Sequence, residues 1–189
     1  MDLKAQLLRE RLESYAALSG GYPVPLAGMI YWAALCVYGH VATLHNWSVI
    51  AFITSGLIFP LAVVLAKVLR KDFMKAKGPV NSVLAPAFIG MLLFWPGCIA
   101  AFYTAPDLVP LILAIGMAAH WPVIGWSYGR MGIYVAHAVV RALAVTALWF
   151  AFPDYRLMYI PGAVAVVYLL SVIALIIDSG AVARKLRAS

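Results

Sequence analysis

The chain has 189 residues, of which 65% are hydrophobic and 11% are charged, with a formal net charge of +7 at pH 7. Soluble domains use about 45–50% apolar residues, so this composition excludes an ordinary soluble protein and predicts one that lies in a lipid bilayer. The lysines and arginines flank apolar runs and do not form one basic patch, which argues against nucleic-acid binding.

The N-terminal segment, residues 1–19, places leucines at helical spacing opposite charged residues, which predicts an amphipathic helix that Gly20 and Gly21 end. It lacks the apolar centre and the small-residue cleavage site of a secretory signal, so we expect it to be retained. Two placements fit the pattern. The helix lies in the membrane interface, or it is solvated and packs on the cytoplasmic end of the protein.

Six apolar runs follow, each close to the 20 or so residues that a membrane-spanning helix needs. They cover residues 24–44, 47–66, 83–103, 108–126, 131–150 and 159–177. The short connections predict that successive helices are antiparallel neighbours. We therefore predict an all-α polytopic membrane protein of one domain, 1–189. A six-helix transmembrane bundle, 22–178, follows the amphipathic helix, and a basic cytoplasmic tail, 179–189, follows the bundle.

Basic residues fall almost entirely on one side of these six runs. The opposite side carries only Arg156, whereas the first side carries Lys4, Arg9, Arg11, Lys67, Arg70, Lys71, Lys75, Lys77, Arg130, Arg184, Lys185 and Arg187. Loops rich in lysine and arginine stay in the cytoplasm, so both termini and the loop after the second run are predicted to be cytoplasmic.

Three prolines, Pro60, Pro96 and Pro122, lie inside predicted helices. Each removes one backbone hydrogen bond and leaves a carbonyl in need of another partner, so kinks are expected there. Kinked helices create room for cavities, although proline is also common in membrane helices without a binding role.

A candidate site is indicated by ionisable residues within the fourth and fifth runs. Tyr134, His137 and Arg141 follow a spacing of i, i+3 and i+7, which puts them on one stripe of a helix. His120 lies nine residues before Gly129, the tight connection, and His137 lies eight residues after it, so the two histidines are predicted to share one depth.

Arginine at the centre of a membrane helix costs about 2.5–3.5 kcal/mol before it finds partners. Every Asp and Glu lies in a terminus or a connection, so no helix offers Arg141 a buried carboxylate. Its partner is then either a set of carbonyls and hydroxyls or an external anion such as a carboxylate, a phosphate or a lipid head group. Gly116 lies opposite Arg141 by the same counting and is predicted to leave room for the guanidinium.

Two segments, residues 55–62 (SGLIFPLA) and 119–128 (AHWPVIGWSY), resemble a bacterial family of small multi-pass membrane proteins of unknown function. The resemblance spans most of the chain and implies the bacterial inner membrane. It supplies no activity, substrate or catalytic residue.

The leading hypothesis is a non-enzymatic membrane protein that binds a small anionic or amphipathic molecule in a cytoplasm-facing cavity, with transport of that molecule left open. Arg141 would hold the negative group, His137 and His120 would supply hydrogen bonds or a proton-linked switch, and Tyr134 and Trp121 would line the pocket. No cofactor or metal is predicted. The expected partners are membrane lipids and the anion, and a homo-oligomer is left open.

Two alternatives come from other classes. One is a small cytochrome whose haem b is ligated by His120 and His137. The other is a structural or regulatory membrane subunit in which Arg141 has a purely structural role. A proton antiporter that uses a carboxylate is disfavoured because no run contains Asp or Glu.

Overall fold

The computed structural model describes residues 2–70 and 81–188, and every regular element in them is helical, with no strand. The all-α prediction is thereby confirmed for this part of the chain. Lys71, Lys75 and Lys77, which contribute to the predicted charge asymmetry, lie outside the described residues. The helices are α1 Leu3–Ala17, α2 Pro23–Tyr38, α3 Leu44–Ser55, α4 Ile58–Val68, α5 Leu84–Leu92, α6 Trp95–Thr104, α7 Val109–Gly116, α8 Trp121–Ser127, α9 Met131–Ala151 and α10 Arg156–Ala188.

Five helical stretches are long and apolar enough to cross a membrane. They are Ser19–Tyr38, Leu84–Thr104, Pro106–Ser127, Met131–Ala151 and Pro153–Ala188. A sixth candidate consists of α3 and α4, which are bent by 50° at a short break. The described residues thus contain five or six helices able to span a bilayer, close to the six predicted runs.

The predicted kinks occur as breaks between short helices. Pro96 and Pro122 each lie in the first turn of a new helix, α6 and α8, where the missing N–H costs nothing. The third break, at Gly56, precedes Pro60, which lies early in α4. A new helix therefore begins immediately before each of Pro96 and Pro122, after a turn. As a result, Leu84–Thr104 is divided into α5 and α6, and Pro106–Ser127 is divided into α7 and α8.

The longest helix, α10, continues without a break from Arg156 to Ala188 over 33 residues. It extends past the predicted end of the sixth run at residue 177, so the segment predicted as a tail is helical through Ala188. This helix packs most extensively against α2 and α9 and also contacts α1 and α7. It forms the central element against which the other helices are arranged.

A polar network joins three elements at one end of the structure, hereafter the Asp178 end. The Tyr15 hydroxyl donates to Asp178 Oδ2 at 2.8 Å, and the Arg130 guanidinium donates to both oxygens of the same carboxylate, with Nε at 2.7 Å. Burial, together with the bond to Asp178, raises the pKa of Tyr15, and the same carboxylate raises the pKa of Arg130. The network fixes α1 and the connection before α9 against α10.

The N-terminal helix α1 packs on the bundle through its C-terminal half only. Tyr15 has no exposed surface and Leu18 is also buried, so the C-terminal half of α1 packs on the bundle. Leu3, Leu7 and Leu8 are exposed, with 78% of the surface of Leu3 accessible. Packing on the bundle is therefore observed for one half of the helix, and the other half presents leucines outward.

At the opposite end, hereafter the Asp107 end, Arg156 has local partners. Its Cζ lies 4.0 Å from the centre of the Trp149 ring, its Nε donates to the Trp149 carbonyl at 2.9 Å, and Asp107 lies 3.6 Å away. Arg156, the one basic residue that the charge pattern places on this side, therefore has an aromatic ring, a carbonyl and a carboxylate as partners.

Candidate functional site

Arg141 lies at the middle of α9 and has no exposed surface. Its Cζ lies 5.2 Å from the centre of the Trp32 ring and 5.1 Å from that of Tyr168, so aromatic side chains of α2 and α10 flank the cation. Among the described residues, none of its three guanidinium nitrogens makes a hydrogen bond. Cation–π contacts thus stabilise the charge while all its donors are left unused.

His137 lies one turn before Arg141 and stacks on Trp121, with ring centroids 3.4 Å apart and planes 4° from parallel. Its Nδ1 is 2.8 Å from the Ser171 hydroxyl, which itself donates to the Val167 carbonyl at 2.8 Å. Its other nitrogen, Nε2, is buried and has no described partner. The ring is therefore held on two sides and keeps one unused polar atom.

His120 occupies the turn between α7 and α8, immediately before Trp121. It is 8% exposed, its ring lies 4.7 Å from that of Phe88, and its Nδ1 has no hydrogen-bond partner in the described residues. The turn that separates α7 from α8 thus places His120 beside Trp121, and the centres of the two rings are 6.4 Å apart.

Tyr134 lines the same cluster, but its hydroxyl is occupied. It donates to the Gly20 carbonyl at 2.7 Å, while its ring lies 5.6 Å from that of Trp121. Tyr134 thus links α9 to the turn that follows α1. Its hydroxyl is used in this bond, so only its aromatic ring can line the cluster.

The structure brings the five predicted residues, Arg141, His137, His120, Tyr134 and Trp121, into one connected cluster. It adds three that the sequence reasoning missed: Trp32, Tyr168 and Ser171. The signal for two of these was present, because Tyr168 and Ser171 are polar residues at a spacing of i, i+3 in the most hydrophobic span. Trp32 offered no comparable signal, since its helix contains several aromatic residues.

The predicted role of Gly116 is wrong. A Cβ on Gly116 would lie 2.3 Å from the Phe94 ring, so this glycine makes room for Phe94 and not for Arg141. The space beside the guanidinium depends instead on Gly28, where a Cβ would lie 2.7 Å from the Tyr168 ring. The absence of a side chain at Gly28 lets Tyr168 reach its position against Arg141.

Unsatisfied polar atoms are concentrated at this cluster. Seven buried side-chain nitrogens lack a hydrogen-bond partner in the described residues, and six of them belong to Trp32, His120, His137 and Arg141. Buried polar groups in proteins are nearly always hydrogen-bonded, because an unsatisfied one costs about 1–3 kcal/mol. Six of the seven unsatisfied nitrogens thus lie in this one cluster.

The site is closed in this structure. Two surface cavities, of about 360 and 170 Å³, lie at the Asp178 end and the Asp107 end, and no residue of the cluster lines either one. The exposed histidines His40 and His45 also lie away from it. The side chains of the cluster are buried, each at most 8% exposed, and neither of these two cavities reaches them.

Comparison with known proteins gives one match. A family model described as a family of unknown function, DUF7010, matches residues 7–178. No curated protein and no solved structure matches the chain. Because the matched region covers most of the sequence and includes every residue of the cluster, the chain belongs to the DUF7010 family of unknown function.

Proposed function

We propose that this protein is a non-enzymatic, six-span membrane protein that binds a small anionic or amphipathic molecule at Arg141 and carries it across the membrane. The bent pair α3 and α4 supplies the sixth span, and the exposed leucines of α1 lie in the membrane interface. The basic flanks orient both termini to the cytoplasm of a bacterial inner membrane.

The observation that carries this proposal is the state of Arg141. A guanidinium with five N–H donors lies at the middle of a membrane-spanning helix, has no exposed surface and makes no hydrogen bond within the described residues. Charged residues at this depth normally pair with another group or mark a substrate pathway. An anion would satisfy both the charge and the donors.

Neighbouring residues have matching roles. Trp32 and Tyr168 exclude water from the guanidinium, which strengthens its attraction for a negative group. His137 and His120 each offer one unused nitrogen. Passage would require opening of the buried cluster, and the turn before α8, which carries His120, is a break in a span that lies within the cluster.

Binding can be tested with purified protein in lipid nanodiscs by titrating sodium chloride, bicarbonate, phosphate and acetate and recording tryptophan fluorescence. Trp32 and Trp121 lie in the cluster and report directly on it. We expect saturable binding of at least one probe, weakened at least about tenfold in Arg141→Met, because each lost charge-assisted bond is worth about 1.5–3 kcal/mol.

The matched control is Arg156→Met, which removes another arginine that packs on a tryptophan, at the Asp107 end. It should leave the titration unchanged. Native mass spectrometry of the same samples detects a co-purified lipid or metabolite that the four probes do not represent. A protein that binds no probe and carries no ligand by mass would refute the proposal. Flux in proteoliposomes that does not depend on Arg141 would refute the transport step.

The haem alternative has less support from the packing. A porphyrin ligated through His137 Nε2 needs open space beside that nitrogen, whereas Trp121 covers one face of the ring and Tyr168 lies 4.8 Å from it. A haem absorption spectrum of the purified protein would reverse this preference.

A further inference from the structure

The hydrogen bonds of Ser171 determine which nitrogen of His137 carries a proton. A serine hydroxyl has one proton, and that of Ser171 is donated to the Val167 carbonyl. The bond between Ser171 and His137 Nδ1, at 2.8 Å, therefore requires the histidine to be the donor. In the neutral ring, Nε2 is then unprotonated and acts only as an acceptor.

Five of the six unused atoms of the cluster, all except His120 Nδ1, thus have defined roles. Arg141 and the indole N–H of Trp32 are donors without acceptors, and His137 Nε2 is an acceptor without a donor. Arg141 and His137 share Tyr168 as a neighbour, since the Arg141 Cζ and the His137 ring lie 5.1 and 4.8 Å from the Tyr168 ring, and the Arg141 Cζ lies 5.2 Å from the Trp32 ring. A ligand that fits this set has a negative charge, several acceptor oxygens and one donor.

Resting on the proposed function, we propose that the anion is a partly protonated oxyanion, of the bicarbonate or dihydrogen phosphate type. Its oxygens accept from Arg141 and Trp32, and its O–H donates to His137 Nε2. Water also carries donors and acceptors, but it leaves the buried guanidinium without a counter-charge. Halides and the phosphodiesters of most lipid head groups have no O–H, so they leave His137 Nε2 unsatisfied.

The test uses pairs of anions that match in shape and charge and differ in the O–H. Bicarbonate and nitrate are planar monoanions, compared at mildly alkaline pH. Dihydrogen phosphate and perchlorate are tetrahedral monoanions, compared at mildly acidic pH. Binding to the unmodified protein in nanodiscs is measured by tryptophan fluorescence.

The protonated member of each pair should bind at least about tenfold more tightly, since its partner leaves a buried acceptor unpaired. Nitrate and perchlorate give up hydration water more readily, so dehydration alone predicts the opposite order. Equal or reversed affinities would overturn this inference and leave anion binding intact. Failure of all four anions to bind would also overturn this inference. Only if chloride and acetate fail to bind as well, and no ligand is found by mass, is the proposed function itself refuted.

Two variants assign the preference to His137. His137→Leu removes the acceptor, so the affinities within each pair should converge to about twofold, whereas His45→Leu, at an exposed ring, should keep the full preference. Ser171→Ala retains the imidazole but removes the group that fixes its tautomer, so it should reduce the preference without abolishing binding. A preference that persists unchanged in both His137→Leu and Ser171→Ala would overturn the assignment.

Discussion

Replacement of Arg141 by methionine separates a binding role from a structural one. Insertion of the guanidinium at the centre of a helix costs about 2.5–3.5 kcal/mol. Its two desolvated cation–π contacts, with Trp32 and Tyr168, stabilise the folded protein by about 2 kcal/mol each and so offset the insertion cost. Methionine is of similar length and keeps favourable contacts with both rings. Because Arg141 makes no hydrogen bond that would be lost, we expect the free energy of unfolding to change by less than about 2 kcal/mol.

Unfolding by urea in a non-ionic detergent, followed by far-ultraviolet circular dichroism, measures this free energy in the absence of added anions. Arg130→Met is the control, because it breaks the pair with Asp178. Its side chain is 36% exposed, so about 1 kcal/mol should be lost. A loss of more than about 3 kcal/mol in Arg141→Met, as seen when a buried ion pair is broken, would refute the reasoning. It would favour the structural or regulatory alternative.

Two further predictions concern packing, measured by the same unfolding titration. Tyr15→Phe removes the hydroxyl that donates to Asp178 and should cost about 1 kcal/mol while leaving anion binding unchanged, so an unaltered midpoint would count against the network. Gly39→Ala should cost about 2 kcal/mol or more, because its Cβ would lie 2.1 Å from the Leu157 carbonyl oxygen. Gly90→Ala, with nothing within 4 Å, should be neutral or raise stability by up to about 1 kcal/mol, and equal losses in both glycine variants would contradict the packing described.

Much of the fold was predictable because it depends mainly on a property that can be read along the sequence, the length of the apolar runs. The length of apolar runs sets the position of membrane-spanning helices, and a positive φ at Gly129 marks the tight turn that the sequence predicted there. Whether a proline kinks a helix or restarts it depends on the turn before it. The sequence around Pro96 and Pro122 does not specify that turn, so the two breaks were predicted only as kinks.

The site was predictable in part. Helical spacing places Tyr134, His137 and Arg141 on one stripe, and the positions of Asp and Glu outside the apolar runs predict a charge in a helix without a carboxylate partner in those runs. Contacts between helices distant in sequence are set by packing, so the positions of Trp32 and Tyr168 against Arg141 could not be predicted from the sequence. The same limit explains the error at Gly116, where counting along two helices found the right depth but the wrong neighbour.

Under the proposed function, complete burial of Arg141 would also govern the kinetics of ligand exchange. A molecule held there can leave only when the surrounding helices move, and such motions take microseconds to seconds. Association would then be slower than the roughly 10⁵–10⁷ M⁻¹s⁻¹ of an open site that is ready to bind. Dissociation would be limited by the same motion, so different anions would share similar maximal exchange rates even where their affinities differ.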